Sequence, residues 1–380
     1  MLPAPKTDRI SLADVLPSCL SSVAGSPNRL DLPPVSRAVV VLVDGLGAEQ
    51  LRSRSGHART LASVFTRASA IESGFPTTTA AALATLATGV TPGQHGLVGY
   101  TALDPANDRV VNQLSGWDDR LDPATWQLAP TVFEQAGQRG VRSSAIGPKR
   151  YRDSGFSQAV WRGAEYISAQ TISDRLESAA EWLREPGDAG LLYIYVPELD
   201  MAAHAYGWES NEWISRLEDL DGAMRTFTSS LRPTDGVILT ADHGVLDVPP
   251  HAQVLIDSDP ALVDGVRFVA GDPRCLQLHF EPDLSEPARD HLIERWRAAE
   301  SGRAWIATRD EAIEANWFGE VRDEVRPRIG DLLVAARKNI AYYDGRTATS
   351  HARAMVGQHG SFSSDEVRVP LLRFGGFARP

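Results

Sequence analysis

The chain has 380 residues, enough for one large core with a smaller piece attached and too many to depend on staples. Its two cysteines, Cys19 and Cys275, lie far apart and form no CxxC pair, which excludes a disulfide framework and a cysteine redox or zinc motif. A formal charge of −11 disfavours duplex nucleic acid and anionic membranes as partners, whereas a small phosphoester remains feasible where bound dications dominate the local field.

The opening MLPAPKTDRISLADVLPS lacks a sustained apolar core, so no signal peptide is expected, and residues 1–35 read as an extended N-terminal arm. No run approaches the roughly 20 apolar residues of a membrane span, and a cytoplasmic location with no membrane and no obligate protein partner is expected. Strand signals follow at AVVVLV (38–43), ASAIES (near 70), LLYIYV (191–196) and VILTA (237–241). These are continuous runs, not alternating ones, as in strands buried on both faces of a parallel sheet. Helical patterns fall between them at 79–88, near 173–185, and from 211 to about 231. The alternation predicts an α/β, doubly wound fold with ligands at the carboxyl ends of its strands. From 256 the texture changes through RCLQLHF, ARDHLIERWRAAE and DLLVAARKNIAYYD. The expected organisation is a core of 36–255 and 351–380, interrupted by a small α+β cap at 256–350.

Chemistry-bearing residues gather where strands end. Asp44 closes VVVLVDG, Asp200 and His204 follow YIYV, Asp242 and His243 follow VILTA, and His359 sits in GQHG. Three carboxylates and three imidazoles suffice to hold two divalent cations with positions left for substrate. Each segment alone also reads as a turn cap or a packed histidine; the joint pattern across four segments favours metal. FPTTTAAALATLATG adds threonines at a helix start, where a phosphoryl group would meet backbone N–H groups. Lys149, with Arg150, follows a strand-like run and is a candidate for holding a substrate anion, or else forms an exposed basic loop. Tyr151 is a candidate for stacking a leaving group.

The ordered set VDG, FPTTTAAALATLATG, GQHGLVGY, VPELDMAAH, TADHG and GQHG resembles the type I phosphodiesterase/nucleotide pyrophosphatase family of the alkaline phosphatase superfamily. The resemblance implies an alkaline phosphatase-like, three-layer αβα core with a mostly parallel sheet. It implies two divalent ions, most commonly Zn2+, one held by Asp44, Asp242 and His243 and the other by Asp200, His204 and His359. Thr79 takes the place of the nucleophile, with Thr78 as the alternative, and Tyr100 stands where the family has an Asn that donates to a phosphate oxygen. The implied activity is cleavage of phosphodiester or nucleotide pyrophosphate bonds through a phospho- or nucleotidyl-threonine. A phosphomonoesterase or phosphonate hydrolase would use the same site, and a noncatalytic phospho-ligand binding protein would keep the metals alone. Ala80 replaces the Phe that commonly follows the nucleophile, which removes the usual ground for naming a nucleotide. No (C/S)xPxR element of a sulfatase is present.

Overall fold

The computed structural model describes residues 1–5, 8–187 and 189–378. Its main sheet has seven strands in the order Ala70–Glu72, Arg368–Gly375, Asp235–Thr240, Arg37–Val43, Gly190–Val196, Arg142–Gly147 and Glu165–Ser168. The five from Asp235–Thr240 to Glu165–Ser168 run parallel, and the two at the other edge pair antiparallel. All seven residues of Arg37–Val43 and of Gly190–Val196 are buried, so both faces are covered, as the unbroken apolar runs require. Val43 lies opposite Val196 and Leu42 opposite Thr240, which brings three strand ends to one level.

Two elements differ from expectation. ASAIES contributes only Ala70–Glu72, an antiparallel edge strand with Ile71 alone buried, whose outer edge carries a single bridge from Glu72 to Ser11. That neighbour, Arg368–Gly375, is hidden in the sequence by Pro370 and Arg373, which interrupt an otherwise apolar run. The stretch read as an extended arm carries a helix, Val15–Val23, which packs against Arg37–Val43 and buries Val15, Leu16, Cys19 and Leu20. Pro17 stands at its third position, where the backbone N–H has no partner inside the helix, so the proline costs no hydrogen bond.

A second, antiparallel sheet runs Ala304–Thr308, Leu332–Ala336, Cys275–Phe280, Val266–Asp272, Thr101–Asp104 and Arg109–Asn112. Its last two strands come from between the helix Thr79–Thr88 and the strand Arg142–Gly147, so the chain visits this sheet twice. It has apolar clusters of its own, one around Trp296, Leu278 and Tyr342 and another around Phe75, Trp317 and Phe318. Arg274, fully buried, joins this sheet to the main one through two hydrogen bonds to Glu366, of 2.7 and 2.8 Å. Among the described residues no helix is long and apolar enough to cross a membrane.

Candidate active site

The level strand ends set the site. Asp44 follows Val43 directly, and the helix Glu198–Tyr206, which begins two residues after Val196, carries Asp200 and His204 one turn apart on one face. Asp242 and His243 follow Thr240 within three residues, and His359 arrives just beyond the short strand Gly357–Gln358. Two glycines allow the crowding. Gly45, at φ +73°, turns the chain after Asp44 and donates its N–H to Asp242 Oδ1 at 3.1 Å. Gly244 lies so close to the chain at Asp365 and Gly47 that an added Cβ would fall 2.0 Å from a carbonyl oxygen.

All six residues come together. His243 Nε2 is 3.4 Å from both Asp44 Oδ1 and Asp242 Oδ2. His204 Nε2 is 3.3 Å from Asp200 Oδ2 and 3.4 Å from His359 Nε2, which is 3.8 Å from Asp200 Oδ1. Asp44, Asp242 and His243 form one group of possible ligand atoms, and Asp200 and His359 form another in which His243 also falls. The rings of His243 and His359 stack at 3.7 Å between the two groups. His204 closes the outer side, its side chain 24% exposed, where the other five are buried.

The hydrogen bonds around the cluster leave its inward atoms free. Each histidine turns Nδ1 to a backbone carbonyl: His204 to Gly357 and His359 to Thr77, both at 2.8 Å, and His243 to Gly244 at 3.3 Å. A carbonyl only accepts, so Nδ1 carries the proton and Nε2 presents a lone pair to the cluster. Asp242 Oδ1 takes the N–H groups of Gly45 and His243, and the Tyr195 hydroxyl donates to Asp44 Oδ2. Asp242 Oδ2 and Asp200 Oδ1 are buried with no hydrogen-bond donor. Such atoms are costly to bury unless a cation meets them. This donor set of unprotonated imidazole nitrogens and undonated carboxylate oxygens fits two divalent cations.

The electrostatics agree. Burial, reinforced by the charges of Asp242 and Asp200, pushes the Asp44 carboxyl well above its ordinary range. Burial likewise raises Asp242, to about 7, with the Asp200 charge adding to it. The imidazoles move the other way: burial lowers His243 to about 4 and His359 to about 3, so both are neutral at physiological pH. Asp200, although burial works against it, is held below its ordinary range by the neighbouring His204, His359 and His243. Asp44 and Asp242, crowded at the cost of their own ionisation, are what a site built around positive charge looks like without it.

The three threonines divide by role. Thr77 Oγ1 donates to the Ser361 carbonyl at 2.8 Å and accepts from Gly360 N at 3.0 Å, fastening the His359 loop. Thr78 occupies the N-cap of the helix Thr79–Thr88, but its hydroxyl caps nothing, which leaves first-turn N–H groups open to an anion. Thr79 Oγ1 faces the cluster, 3.2 Å from His243 Nε2 and 3.5 Å from Asp44 Oδ1. Tyr100 gives its backbone N–H to Asp272 at 3.3 Å, and its ring is 38% exposed with no hydrogen bond from the hydroxyl to the six-residue cluster. Ala80 is fully buried. Lys149 and Arg150 are exposed on a single turn, Lys149–Tyr151, and the Tyr151 ring meets that of Tyr195 edge-on at 5.8 Å.

Tyr195, Asp272 and Glu366 were missed. Tyr195 sits inside an apolar run, where it passes for a core residue. Asp272, buried and raised to about 7 by that burial, packs so closely on the glycine after His359 that a Cβ there would lie 2.8 Å from its own. Glu366 accepts from Ser361 N and Ser363 N, while its carbonyl accepts from Gly244 N, so it braces the loops carrying both His359 and His243.

Comparison with known proteins agrees with this architecture. The chain is 24% identical over 234 residues to an uncharacterized pyrophosphatase/phosphodiesterase of Schizosaccharomyces pombe, covering 59% of this chain and 47% of that protein. It is 22% identical over 218 residues to human ectonucleotide pyrophosphatase/phosphodiesterase family member 1, covering 55% of this chain and 23% of that one. The chain thus spans less than half the length of either relative. Among solved structures, murine ectonucleotide pyrophosphatase/phosphodiesterase 5, an inactive variant in complex with AMP, superposes with a TM-score of 0.69 at 15% identity, covering 89% of this chain and 88% of that one. The human protein of the same name gives 0.68 at 16% identity, covering 90% of each. Residues 38–362 match the family described as type I phosphodiesterase / nucleotide pyrophosphatase, and the chain belongs to that family.

Proposed function

We propose that the chain is a metal-dependent hydrolase of phosphodiester or nucleotide pyrophosphate bonds, with Thr79 as nucleophile. The observation that carries this reading is the inward set of three Nε2 lone pairs and undonated carboxylate oxygens, with the Thr79 hydroxyl among them. Asp44, Asp242 and His243 would hold one Zn2+, and Asp200, His204 and His359 the other. When bound, two such cations supply the charge that makes an attacking hydroxyl or water a stronger nucleophile and offsets charge on phosphoryl oxygens.

The rest falls to the chain. Thr79 Oγ forms the bond to phosphorus as the leaving oxygen departs on the opposite side, and water then breaks the phospho-threonine ester. The uncapped first turn of Thr79–Thr88 offers N–H groups and a positive dipole end to the phosphoryl oxygens. Tyr195 holds Asp44, and backbone N–H groups hold Asp242, so both carboxylates keep one oxygen aimed inward. Tyr100, whose hydroxyl makes no hydrogen bond to the cluster among the described residues, would serve as the additional donor to a phosphate oxygen.

The experiment compares hydrolysis of p-nitrophenyl phosphate, bis(p-nitrophenyl) phosphate and a p-nitrophenyl nucleotidyl ester, with and without chelator. The expected result is faster turnover of the two diesters, lost on chelation. Preference for the monoester would move the reading to a phosphomonoesterase, and activity that survives chelation would end the metal-dependent one.

A further inference from the structure

Arg150 is held at the rim of the site with its charge unspent. The strand Arg142–Gly147 lies beside Gly190–Val196 and runs parallel to it, so the turn Lys149–Tyr151 emerges at the same end of the sheet as Asp44. Arg150 Nη2 rests 3.1 Å from the sulfur of Met201, the residue after Asp200, and the guanidinium lies 4.7 Å over the Tyr151 ring. Tyr151 meets Tyr195, whose hydroxyl is on Asp44. The guanidinium is therefore fixed between a thioether on the helix that carries Asp200 and His204 and an aromatic face that packs on the tyrosine bonded to Asp44.

No Asp or Glu pairs with Arg150 or Lys149 among the described residues, although the chain carries 49 acids against 38 Lys and Arg. Of the two acids on the helix of Met201, Glu198 is taken by the buried Arg175 and Asp200 lies 3.3 Å from His204 within the cluster. A guanidinium presents a planar fork of N–H donors that matches a phosphate or carboxylate, and a ring face beneath it limits the entropy lost on binding. Where a stacking aromatic would follow the nucleophile there is instead Ala80, fully buried, so recognition by a base-stacking ring next to Thr79 is absent.

We infer that Arg150 is a specificity-determining residue that binds a second anionic group of the substrate. The substrate class is then a phosphoric ester or anhydride with another phosphate or carboxylate beyond the reacting phosphorus. This rests on the proposed metal-dependent site, where the reacting phosphoryl group would lie.

The experiment measures binding, so it reads without turnover. Zinc-loaded protein at fixed free zinc is titrated calorimetrically with methylenediphosphonate, which carries two anionic groups, and with methylphosphonate, which carries one. Arg150→Ala should weaken the first about tenfold or more, the scale of a lost charged hydrogen bond, and the second by less than about twofold. Arg150→Lys should recover part of the loss, and Arg152→Ala, an exposed arginine of the same segment, should change neither. Equal weakening of both ligands, or of neither, overturns the inference; absence of ester turnover by the unaltered protein would count against the hydrolase reading while leaving the binding ratio readable.

Discussion

At the residue scale, three consecutive threonines share one composition and have three different surroundings. Only Thr79 turns its hydroxyl to His243 and Asp44, while Thr77 is committed to the His359 loop and Thr78 stands at the helix start without capping it, on the side of Asp272. Thr79→Ala should lower turnover by on the order of 10^3-fold or more, since the loss of a nucleophile leaves only binding and charge to act. Metal content should stay unchanged, which is checked by measuring bound metal in the same preparation. Full activity in the variant would shift the nucleophile to Thr78. Five of the six ligand candidates were legible because they follow an apolar run and fall at a strand end, where a parallel sheet collects its ligands, whereas His359 was legible through the GQHG element. Tyr195 and Asp272 were not, since a buried tyrosine in a strand and a lone Asp before a turn look the same with or without a site beside them.

At the scale of elements, the site depends on loops being braced from the second sheet. Glu366 holds Ser361 and Gly244, which lie two residues from His359 and one from His243, and Arg274 reaches it from the other sheet with both partners fully buried. Removing one member leaves a buried charge unmatched, so Arg274→Ala should cost about 3–5 kcal/mol of stability. Denaturant unfolding checks this, and zinc affinity should weaken alongside it as the His359 loop loosens. The long apolar strands and the helices near 79–88, 172–184 and 211–229 were readable from periodicity and caps. Two short or interrupted elements were not: Val15–Val23 is masked by Pro17, and Arg368–Gly375 by Pro370 and Arg373. In both, tertiary burial outweighs an unfavourable local signal.

At the scale of the whole molecule, two sets of buried groups oppose each other in pH. Asp242 and Asp272, each near 7, and Asp44, also raised well above its ordinary range, hold protons more tightly in the folded metal-free state than in the unfolded chain. Their contribution is complete below the ordinary Asp range and is lost as pH rises through the raised values. His95 and His359, each near 3, and His243, near 4, act in the opposite sense: their cost is greatest in acid and vanishes above the ordinary histidine value. The two sets offset one another up to about pH 6.5, above which only the carboxyl contribution still changes. The melting temperature of chelated protein should therefore fall between about pH 6.5 and 8, and added zinc should reduce that fall by holding Asp44 and Asp242 ionised, leaving the part due to Asp272. A melting temperature of the chelated protein that rises across this window would contradict the opposed arrangement of charges.

The two-metal site is the central claim, and a calorimetric titration of chelator-stripped protein with Zn2+, with diesterase activity read at each point, addresses it most directly. The expected result is saturation at two equivalents per chain, with activity returning as the second is bound. Saturation at one or none, or full activity before any metal is added, would contradict it.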